Sequence, residues 1–306
     1  MRNTFIKTLT KLAESDKDIY LVIADLGFSV VEEFEKQFPD RFINTGIAEA
    51  NAVSIAAGLA LCGKKPFVYS IAPFITMRAF EQVRVDCAYM NTNVKLVGVG
   101  GGVAYGPAGA THHAIEDLAV MRALPNIIVT APGDPTEAEA LIKNSLTTKR
   151  PMYIRLAKNN EPVLTADKAE DIVLGKAHIY SKGNDLTILT TGSSFENGTK
   201  IVELLKKYQI NAELANIHTI KPFDKEYLLE RISKNIPVVT IEEHNIIGGL
   251  GSAVSEIIAE SEYNVRFKRF GIPDQYSHFV GSQQFILGKW NLDVDSIAQE
   301  ILKFLA

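Results

Sequence analysis

Glu49 is the first side chain in this sequence whose type and position could do chemistry. It lies in residues 44–50 (NTGIAEA), where a capping residue precedes a predicted alanine-rich helix, so Glu49 falls in the first turn of that helix. One interpretation is a carboxylate favoured by the helix dipole, worth about 0.3–1 kcal/mol. The other is a carboxyl buried at a strand–helix junction, whose pKa is raised by desolvation and which can exchange a proton with a heterocycle. Position alone leaves both interpretations open.

A glycine-rich segment, residues 100–113 (GGGVAYGPAGATHH), is the second candidate. So many glycines directly after a predicted strand indicate a loop that is mobile or closely approached by other atoms. His112 and His113 end this segment, and adjacent histidines are unusual in a purely structural loop. Because no Asp, Cys or third His lies at metal-ligand spacing, zinc is disfavoured. Proton transfer or hydrogen bonding to a substrate is the favoured role.

Three further stretches have ordinary explanations when each is taken alone. Residues 25–27 (DLG) are typical of a turn, and Phe74 at the start of a predicted helix is typical of a core aromatic. Residues 241–251 (IEEHNIIGGLG) lack the glycine spacing of a dinucleotide fingerprint or a P-loop. Two glutamates there also argue against a bound anion, so we interpret this stretch as a tight structural turn.

These residues follow predicted strands, so the elements that position them can be read from the hydrophobic pattern. Nearly continuous apolar runs alternate with helical segments: strands at 19–24, 65–71, 94–99, 126–131 and 152–156, and helices at 46–61, 74–89, 114–123 and 135–146. This alternation predicts a parallel sheet covered by helices on both faces. Ligands bind such sheets outside the carboxyl ends of the strands, where the candidate residues lie.

A second α/β series follows a polar segment, for which we predict a linker with a short strand near 171–174. The series has predicted strands at 185–190, 212–217 and 237–241, and helices at 198–208, 251–259 and 294–305. The fold class is therefore α/β with two doubly wound domains. We place the first domain at 1–165, the linker at 166–182 and the smaller carboxyl-terminal domain at 183–306.

Composition and charge exclude several classes of protein. The net charge is −4 and no basic stripe stands out, which argues against a nucleic-acid partner. The apolar stretch at 53–62 is too short to cross a bilayer, which takes about 20 residues. Cys62 and Cys87 form neither a disulfide framework nor a metal motif. We expect no membrane association and a reducing, cytoplasmic location.

Four stretches together resemble the transketolase and deoxyxylulose-phosphate synthase family. They are 44–61 (NTGIAEANAVSIAAGLAL), 111–126 (THHAIEDLAVMRALPN), 217–224 (IHTIKPFD) and 239–254 (VTIEEHNIIGGLGSAV). They occur in the family's order and spacing, and the likeness runs over nearly the whole chain. Each stretch alone is a weak signal, whereas the set is specific.

The resemblance implies a thiamine-diphosphate enzyme and assigns roles to five residues. Glu49 matches the glutamate that hydrogen-bonds a ring nitrogen of the cofactor's aminopyrimidine and drives cofactor activation, which suits a carboxyl of raised pKa. Phe74 would stack on the pyrimidine ring. Asp25 and Leu26 match an Ala-Asp-Leu segment near the cofactor. His112 matches a histidine that contacts the oxygens of the substrate.

Four more residues are implied as substrate contacts. His113 lies where relatives carry glutamine or histidine. Lys158 aligns with an arginine that receives the sugar phosphate, although a lysine loses the bidentate fork of a guanidinium. Arg155 and Arg78 are further phosphate candidates.

Two other departures from the family pattern bear on function. Relatives carry an aspartate that contacts sugar hydroxyls where this chain has Ala108, in residues 107–109 (PAG), which leaves ordinary pentose-phosphate specificity open. The chain also lacks the Gly-Asp-Gly segment and following asparagine that hold magnesium and the diphosphate. The resemblance therefore implies no metal site on this chain. It implies a separate amino-terminal partner subunit that binds Mg²⁺ or another divalent ion, in a heterotetramer with two copies of each chain.

The implied reaction is a transferase reaction of carbohydrate metabolism, moving a two-carbon ketol unit from a ketose or its phosphate to an aldose acceptor. The nearest alternative is deoxyxylulose-phosphate synthesis or another carboligation that decarboxylates pyruvate. A beta subunit of an oxo-acid dehydrogenase is a further alternative, although residues 217–224 and 241–251 favour a transketolase. Ala108 and Lys158 also leave open a non-catalytic relative that only binds a partner.

Overall fold

A computed structural model describes residues 1–158 and 160–306. Over these residues the strands form one seven-stranded and one five-stranded sheet, which confirms the predicted two α/β domains. The strands are β1 (Ile19–Ile23), β2 (Phe42–Asn44), β3 (Lys65–Ile71), β4 (Lys95–Val99), β5 (Ile128–Thr130), β6 (Met152–Leu156), β7 (His178–Ser181), β8 (Leu186–Thr191), β9 (Ala212–Asn216), β10 (Thr219–Lys221), β11 (Val238–Asn245) and β12 (Phe267–Ile272).

Helices cover both sheets. They are α1 (Arg2–Ser15), α2 (Glu32–Gln37), α3 (Glu49–Leu61), α4 (Phe80–Gln82), α5 (Asp117–Ala123), α6 (Pro135–Ser145), α7 (Ser194–Lys206), α8 (Lys225–Ser233), α9 (Leu250–Ala259), α10 (Gln283–Lys289) and α11 (Val294–Leu305). Among the described residues, none of these helices has both the length and the apolar character required to cross a membrane.

The larger sheet has the strand order β10-β5-β6-β4-β3-β1-β2. Strand β3 illustrates why the strands of this sheet are apolar along their whole length. Phe67 and Tyr69 point to one face, where Phe5 of α1 packs on them with ring centroids 6.2 and 5.6 Å away. Val68 points to the opposite face and packs in the cluster that contains Ala52 of α3. Both faces are covered, so alternation between apolar and polar residues is absent.

Each sheet is parallel except for one edge strand, which the sequence pattern did not predict. Strand β10 pairs antiparallel with β5, and β7 pairs antiparallel with β9. The predicted short strand at 171–174 is wrong. A 3₁₀ turn spans Ala166–Asp171, and the strand of this region is β7 instead. Apolar content alone does not decide which segment reaches a free sheet edge. The domain limits at 165 and 183 remain a prediction.

The predicted helix over 74–89 is also wrong as a continuous α-helix. It is divided into π-helical turns at Phe74–Arg78 and Val83–Tyr89 on either side of α4. Near its start the Thr76 hydroxyl donates to the carbonyl of Ala72 at 2.7 Å, so a side chain takes part in the backbone hydrogen bonding of the turn. Such π-turns are frequently found at functional sites.

The two domains are joined by backbone hydrogen bonds. The amide of Asn245 in β11 donates to the carbonyl of Ile115 at 2.8 Å, and the amide of Ala131 donates to the carbonyl of His218 at 2.9 Å. Strand β10 also comes from the second half of the chain but completes the first sheet. The carboxyl-terminal domain therefore contacts the segments that follow β4 and β5.

Candidate active site

The predicted site residues follow adjacent strands of the larger sheet. Asp25 follows β1, Glu49 follows β2, Phe74 follows β3, the glycine-rich loop 100–113 follows β4, and Lys158 follows β6. These strands are neighbours and run parallel, so their carboxyl ends lie along one edge. The sheet thus brings together residues separated by more than a hundred positions in the sequence.

Glu49 is a buried carboxylate with polar partners. Its residue is 2% exposed. Oε2 accepts a hydrogen bond from Nη1 of Arg78 at 2.8 Å, and Oε1 lies 3.4 Å from the Ser70 hydroxyl. Although Glu49 begins α3, the helix has no side-chain cap. The carboxylate therefore faces the site formed with Arg78, as the functional interpretation of Glu49 expects.

Phe74 and Glu49 together hold a planar group. The guanidinium carbon of Arg78 lies 4.4 Å from the centroid of the Phe74 ring, while the same guanidinium donates to Glu49. An aminopyrimidine is also planar, and as a nitrogen heterocycle it can stack on an aromatic ring and hydrogen-bond a carboxylate. The pair Glu49 and Phe74 therefore fits the cofactor ring that the sequence predicts.

The adjacent histidines have different environments. His112 is half-buried, and its ring meets the Phe74 ring edge-on with the centroids 5.2 Å apart. Its Nδ1 lies 3.0 Å from the Thr111 hydroxyl. His113 is only 3% exposed, and burial lowers the pKa of its imidazole. Within the described residues, Nε2 of His113 has no hydrogen-bond partner. His112 is thus the histidine placed beside the predicted cofactor ring.

Lys158 lies at the cationic end of the site. Its Nζ is 3.9 Å from the centroid of the Tyr105 ring, and that ring is 6.2 Å from His112. A cavity of about 190 Å³ adjoins this end; its lining residues are Met1, Arg2, Asn3, Thr4, Pro135, Lys158, Asn160 and Glu161. Arg2 and Lys158 give this cavity two cationic side chains, next to the carboxylate of Glu161.

Arg155, the other predicted phosphate ligand after β6, lies away from this cluster. Its residue is 3% exposed. Nε donates to Oδ2 of Asp117 at 2.9 Å, and Nη2 donates to the carbonyls of Ala114 and Glu243 at 2.7 and 2.9 Å. Burial and these bonds turn Arg155 toward the protein interior. We therefore assign it a structural role and do not retain it as a phosphate ligand.

Asp25 and Leu26 shape the turn beside Glu49. Asn44 at the end of β2 accepts from the amides of Asp25 and Gly46, both at 3.0 Å, and its own amide donates to the Asp25 carboxylate at 3.1 Å. Asp25 has a positive φ of 51°, a conformation that aspartate tolerates better than most residues. Leu26 packs against the core. The bonds to Asn44 thus join the turn after β1 to the segment that leads into α3.

Two residues of this region were missed by sequence reasoning. Tyr105 could have been found, because it is the one aromatic residue in the glycine-rich loop. Arg2 has no local signal, since it reaches the cavity only through the packing of α1. Over residues 1–158 and 160–306, no group of three or more His, Cys, Asp or Glu side chains could hold a metal ion.

Comparison with protein families gives matches over most of the chain. Residues 1–163 match the model described as "Transketolase, pyrimidine binding domain", and residues 175–297 match "Transketolase, C-terminal domain". A subunit of apulose-4-phosphate transketolase from Phocaeicola vulgatus is 38% identical over 305 residues, which is 99% of this chain and 97% of that protein. The 6-deoxy-6-sulfo-D-fructose transketolase subunit SqwH of a Clostridium species is 37% identical over 301 residues, 98% of this chain and 92% of that protein.

Two further comparisons concern a longer relative and a solved structure. The chain is 34% identical to 1-deoxy-D-xylulose-5-phosphate synthase of Bacillus mycoides over 299 residues, which is 96% of this chain but 47% of that protein. A solved structure described as "Split gene transketolase, inactive beta4 tetramer" superposes with a TM-score of 0.90 at 36% identity, covering 99% of this chain and 97% of that one. The architecture and the length of the chain thus agree with this solved chain.

Proposed function

This chain belongs to the transketolase family, and we propose that it is the pyrimidine-binding subunit of a two-chain transketolase that uses thiamine diphosphate. The observation that carries the proposal is the buried Glu49 beside the Phe74 ring, with His112 edge-on to the same ring. In this arrangement a carboxylate, a stacking surface and a proton-transfer group meet at one edge of a parallel sheet.

Each residue of the cluster then has a defined task. Thiamine diphosphate, when bound, supplies the carbon nucleophile and electron sink for cleavage next to a ketose carbonyl. Glu49 would share a proton with the pyrimidine nitrogen through a hydrogen bond, and Phe74 would hold the ring by stacking. His112 donates hydrogen bonds to substrate oxygens. Asp25 and Leu26 hold the turn at the edge of the cofactor site.

Lys158 and Arg2 attract the anionic end of the substrate in this proposal. The names of both transketolase relatives include an anionic group on the sugar, a phosphate in one and a sulfonate in the other. The cavity lined by Lys158 and Arg2 is cationic, which supports a substrate of that kind. We propose transfer of a two-carbon ketol unit from a ketose that carries such a group to an aldose acceptor.

A separate amino-terminal subunit would bind the diphosphate and Mg²⁺. The absence of a Gly-Asp-Gly segment from the sequence supports this division. Relatives of equal length are called subunits, and the solved β4 tetramer is described as inactive. We propose a heterotetramer with two copies of each chain. A reducing cytoplasm is the proposed location, supported by the free thiol of the exposed Cys62.

Reconstitution with two donors tests the reaction. The chain is purified together with the Gly-Asp-Gly subunit from the same genome and supplied with thiamine diphosphate, Mg²⁺ and an aldose phosphate. We expect a ketose phosphate donor to yield a new ketose and a shortened aldose. Consumption of pyruvate with release of CO₂, and no reaction of the ketose phosphate, would show deoxyxylulose-phosphate synthase chemistry instead.

The chain alone provides the control for the division of labour. Calorimetry should detect at most weak binding of thiamine diphosphate, with no effect of Mg²⁺, because the diphosphate contacts come from the partner. Tight, Mg²⁺-dependent binding to the isolated chain would contradict the two-chain proposal.

A further inference from the structure

The loop that carries His112 is held by a side chain from the other domain. Oε1 of Glu243, in β11 of the carboxyl-terminal domain, accepts a hydrogen bond from the backbone amide of Val103 at 2.7 Å. Glu243 is 3% exposed, so water does not compete for this carboxylate. A charge-assisted bond to a buried carboxylate is stronger than a neutral one and fixes the donor more firmly.

The same network also closes the base of the loop. Gly102 and Ala114 pair through two backbone hydrogen bonds of 2.9 and 2.8 Å. Nη2 of Arg155 donates to the carbonyl of Ala114 and also to the carbonyl of Glu243. Segment 103–114 is therefore attached at its start by the Glu243 side chain and at its end by Arg155.

The glycines at the start of the loop are explained by this contact. A Cβ at Gly102 would lie 2.3 Å from Oε1 of Glu243, and a Cβ at Gly101 would lie 2.4 Å from Nε of Arg155. Real Cβ atoms do not approach other atoms so closely. Close approach to these glycines, one of the two alternatives that the sequence predicts, is thus made by Glu243 and Arg155.

A short series of turns connects the fixed amide to His112. The 3₁₀ turns Gly106–Ala108 and Ala110–His112 follow one another. Their hydrogen bonds join the amide of Ala108 to the carbonyl of Tyr105 at 2.8 Å and the amide of His112 to the carbonyl of Gly109 at 3.0 Å. Local turns therefore order the chain between Val103 and the imidazole that meets Phe74.

Glu242, which precedes Glu243 in β11, has a different structural role. Alternation along β11 sends Glu242 to the opposite face. Glu242 accepts from the amides of Leu250 and Gly251, at 2.7 and 2.8 Å, and so caps α9. Oε2 of Glu243 accepts from Ser193 and Gln283, at 2.8 and 2.7 Å, which orients its other oxygen toward the loop. Both glutamates are fully buried, but these contacts direct only Glu243 at the loop.

We propose that Glu243 is a positioning residue for the transfer reaction. Its carboxylate fixes Val103, and thereby the loop that sets His112 against Phe74. This inference rests on the proposed function and gives the carboxyl-terminal domain a part in the chemistry through the position of His112. Displacement of a reacting group by about 1 Å can cost about 10²-fold in rate, which sets the scale of the expected effect.

Three variants of the full chain test the proposal. Glu243→Ala removes the acceptor, Glu243→Gln keeps one oxygen that can accept the Val103 amide, and Glu242→Ala is the matched control. In the reconstituted complex we expect Glu243→Ala to lower kcat by about 10- to 100-fold with little change in KM. We expect Glu243→Gln to recover most of that loss, and Glu242→Ala to lower thermal stability without lowering kcat of the folded enzyme.

A double variant separates positioning from a general loss of stability. If Glu243 acts through His112, then Glu243→Ala combined with His112→Asn should be no slower than His112→Asn alone. Fully additive losses would overturn the proposal. So would an equal loss of kcat in Glu242→Ala under conditions where both variants are folded.

Amide hydrogen exchange on the chain alone is independent of activity. Peptides that cover 100–114 should lose protection in Glu243→Ala and keep it in Glu242→Ala. Unchanged exchange in Glu243→Ala would overturn the attachment of the loop even in an active enzyme. An inactive wild-type complex whose loop exchange responds as expected would instead count against the proposed function.

Discussion

Two regions of the molecule use the same side-chain types for different purposes. At the carboxyl edge of the larger sheet, Arg78 donates to Glu49 at 2.8 Å with its side chain 49% exposed. In the interior of the first domain, Arg155 donates to Asp117 at 2.9 Å with its side chain 3% exposed. Both pairs join an arginine to a carboxylate at nearly the same distance, and they differ in the solvent access of the arginine.

The exposure of the arginine determines how much it costs to separate each ion pair. Arg78 is half-exposed, so water can replace its hydrogen bond when a ligand takes its place on Glu49, and the exchange costs little. Breaking a buried pair leaves an uncompensated charge and costs about 3–5 kcal/mol. The buried pair therefore fixes geometry, whereas the edge pair is exchangeable. Residue type and pairing alone do not identify a binding site.

The largest effect is expected from removing the charge of Glu49. Glu49→Gln in the reconstituted complex should lower kcat by about 10³-fold, because the amide cannot exchange a proton with the pyrimidine. The matched control is Glu32→Gln, since Glu32 is also acidic and in the first turn of a helix. A ketol-transfer assay measures both variants. If Glu49→Gln turned over at the wild-type rate, Glu49 would have no part in the mechanism.

Exchanging each arginine for methionine tests the comparison directly. Arg155→Met should lower the free energy of unfolding by about 3–5 kcal/mol, because it leaves Asp117 buried without its partner. Arg78→Met should lower it by less, because Arg78 is half-exposed and donates to Glu49 alone among the described residues, whereas Arg155 donates to three buried acceptors. Urea unfolding followed by circular dichroism measures both. Equal destabilisation by the two variants would show that exposure does not separate the two regions.

His244 should make the inter-domain region sensitive to acid. Its Nε2 lies 3.3 Å from the donating amide of Ala119, and burial lowers its pKa to about 4. The unfolded chain binds a proton below about pH 6.5 while the folded protein keeps the imidazole neutral. Its stability contribution is therefore complete above pH 6.5 and is lost as the pH falls toward 4, by about 3 kcal/mol in all.

Comparison of wild type with His244→Gln isolates this contribution. Burial raises the pKa of the neighbouring Glu242 to about 7. Protonated Glu242 therefore stabilises the folded protein at low pH, and this contribution to stability is lost as the pH rises from about 4.5 to 7. Urea unfolding at several pH values should show a smaller loss of stability on acidification in the variant than in wild type. Parallel curves for both proteins would contradict the assignment to His244.

The smallest effect is expected at Lys158. Lys158→Arg should lower KM for a phosphorylated ketose about 5-fold, because a guanidinium can bind phosphate through two parallel hydrogen bonds. Lys168→Arg is the matched control, since Nζ of Lys168 lies 5.3 Å from the centroid of the Tyr180 ring, a similar contact outside the site. Steady-state kinetics measures both. An unchanged KM in Lys158→Arg would argue that Lys158 contacts no phosphate.

Much of the edge site could be predicted because it depends on local sequence and one general rule. Glu49 and Phe74 each follow an apolar run, and parallel strands end along one edge. The π-turn that carries Arg78 could not be predicted, since its hydrogen-bond register is set by packing and by the Thr76 side chain. The role of Arg155 was missed because its partners lie far away in the sequence.

The sequence alone determined the order of the elements, the residues at the strand ends and the resemblance to a two-domain family. These depend on short-range patterns of apolar residues, glycines and capping residues. Tertiary structure alone decided that His112 meets Phe74 while His113 is buried, and that Glu243 reaches the loop while Glu242 caps a helix. The physical reason is that burial and hydrogen bonding depend on contacts between distant segments, so adjacent residues of one type can have unrelated roles.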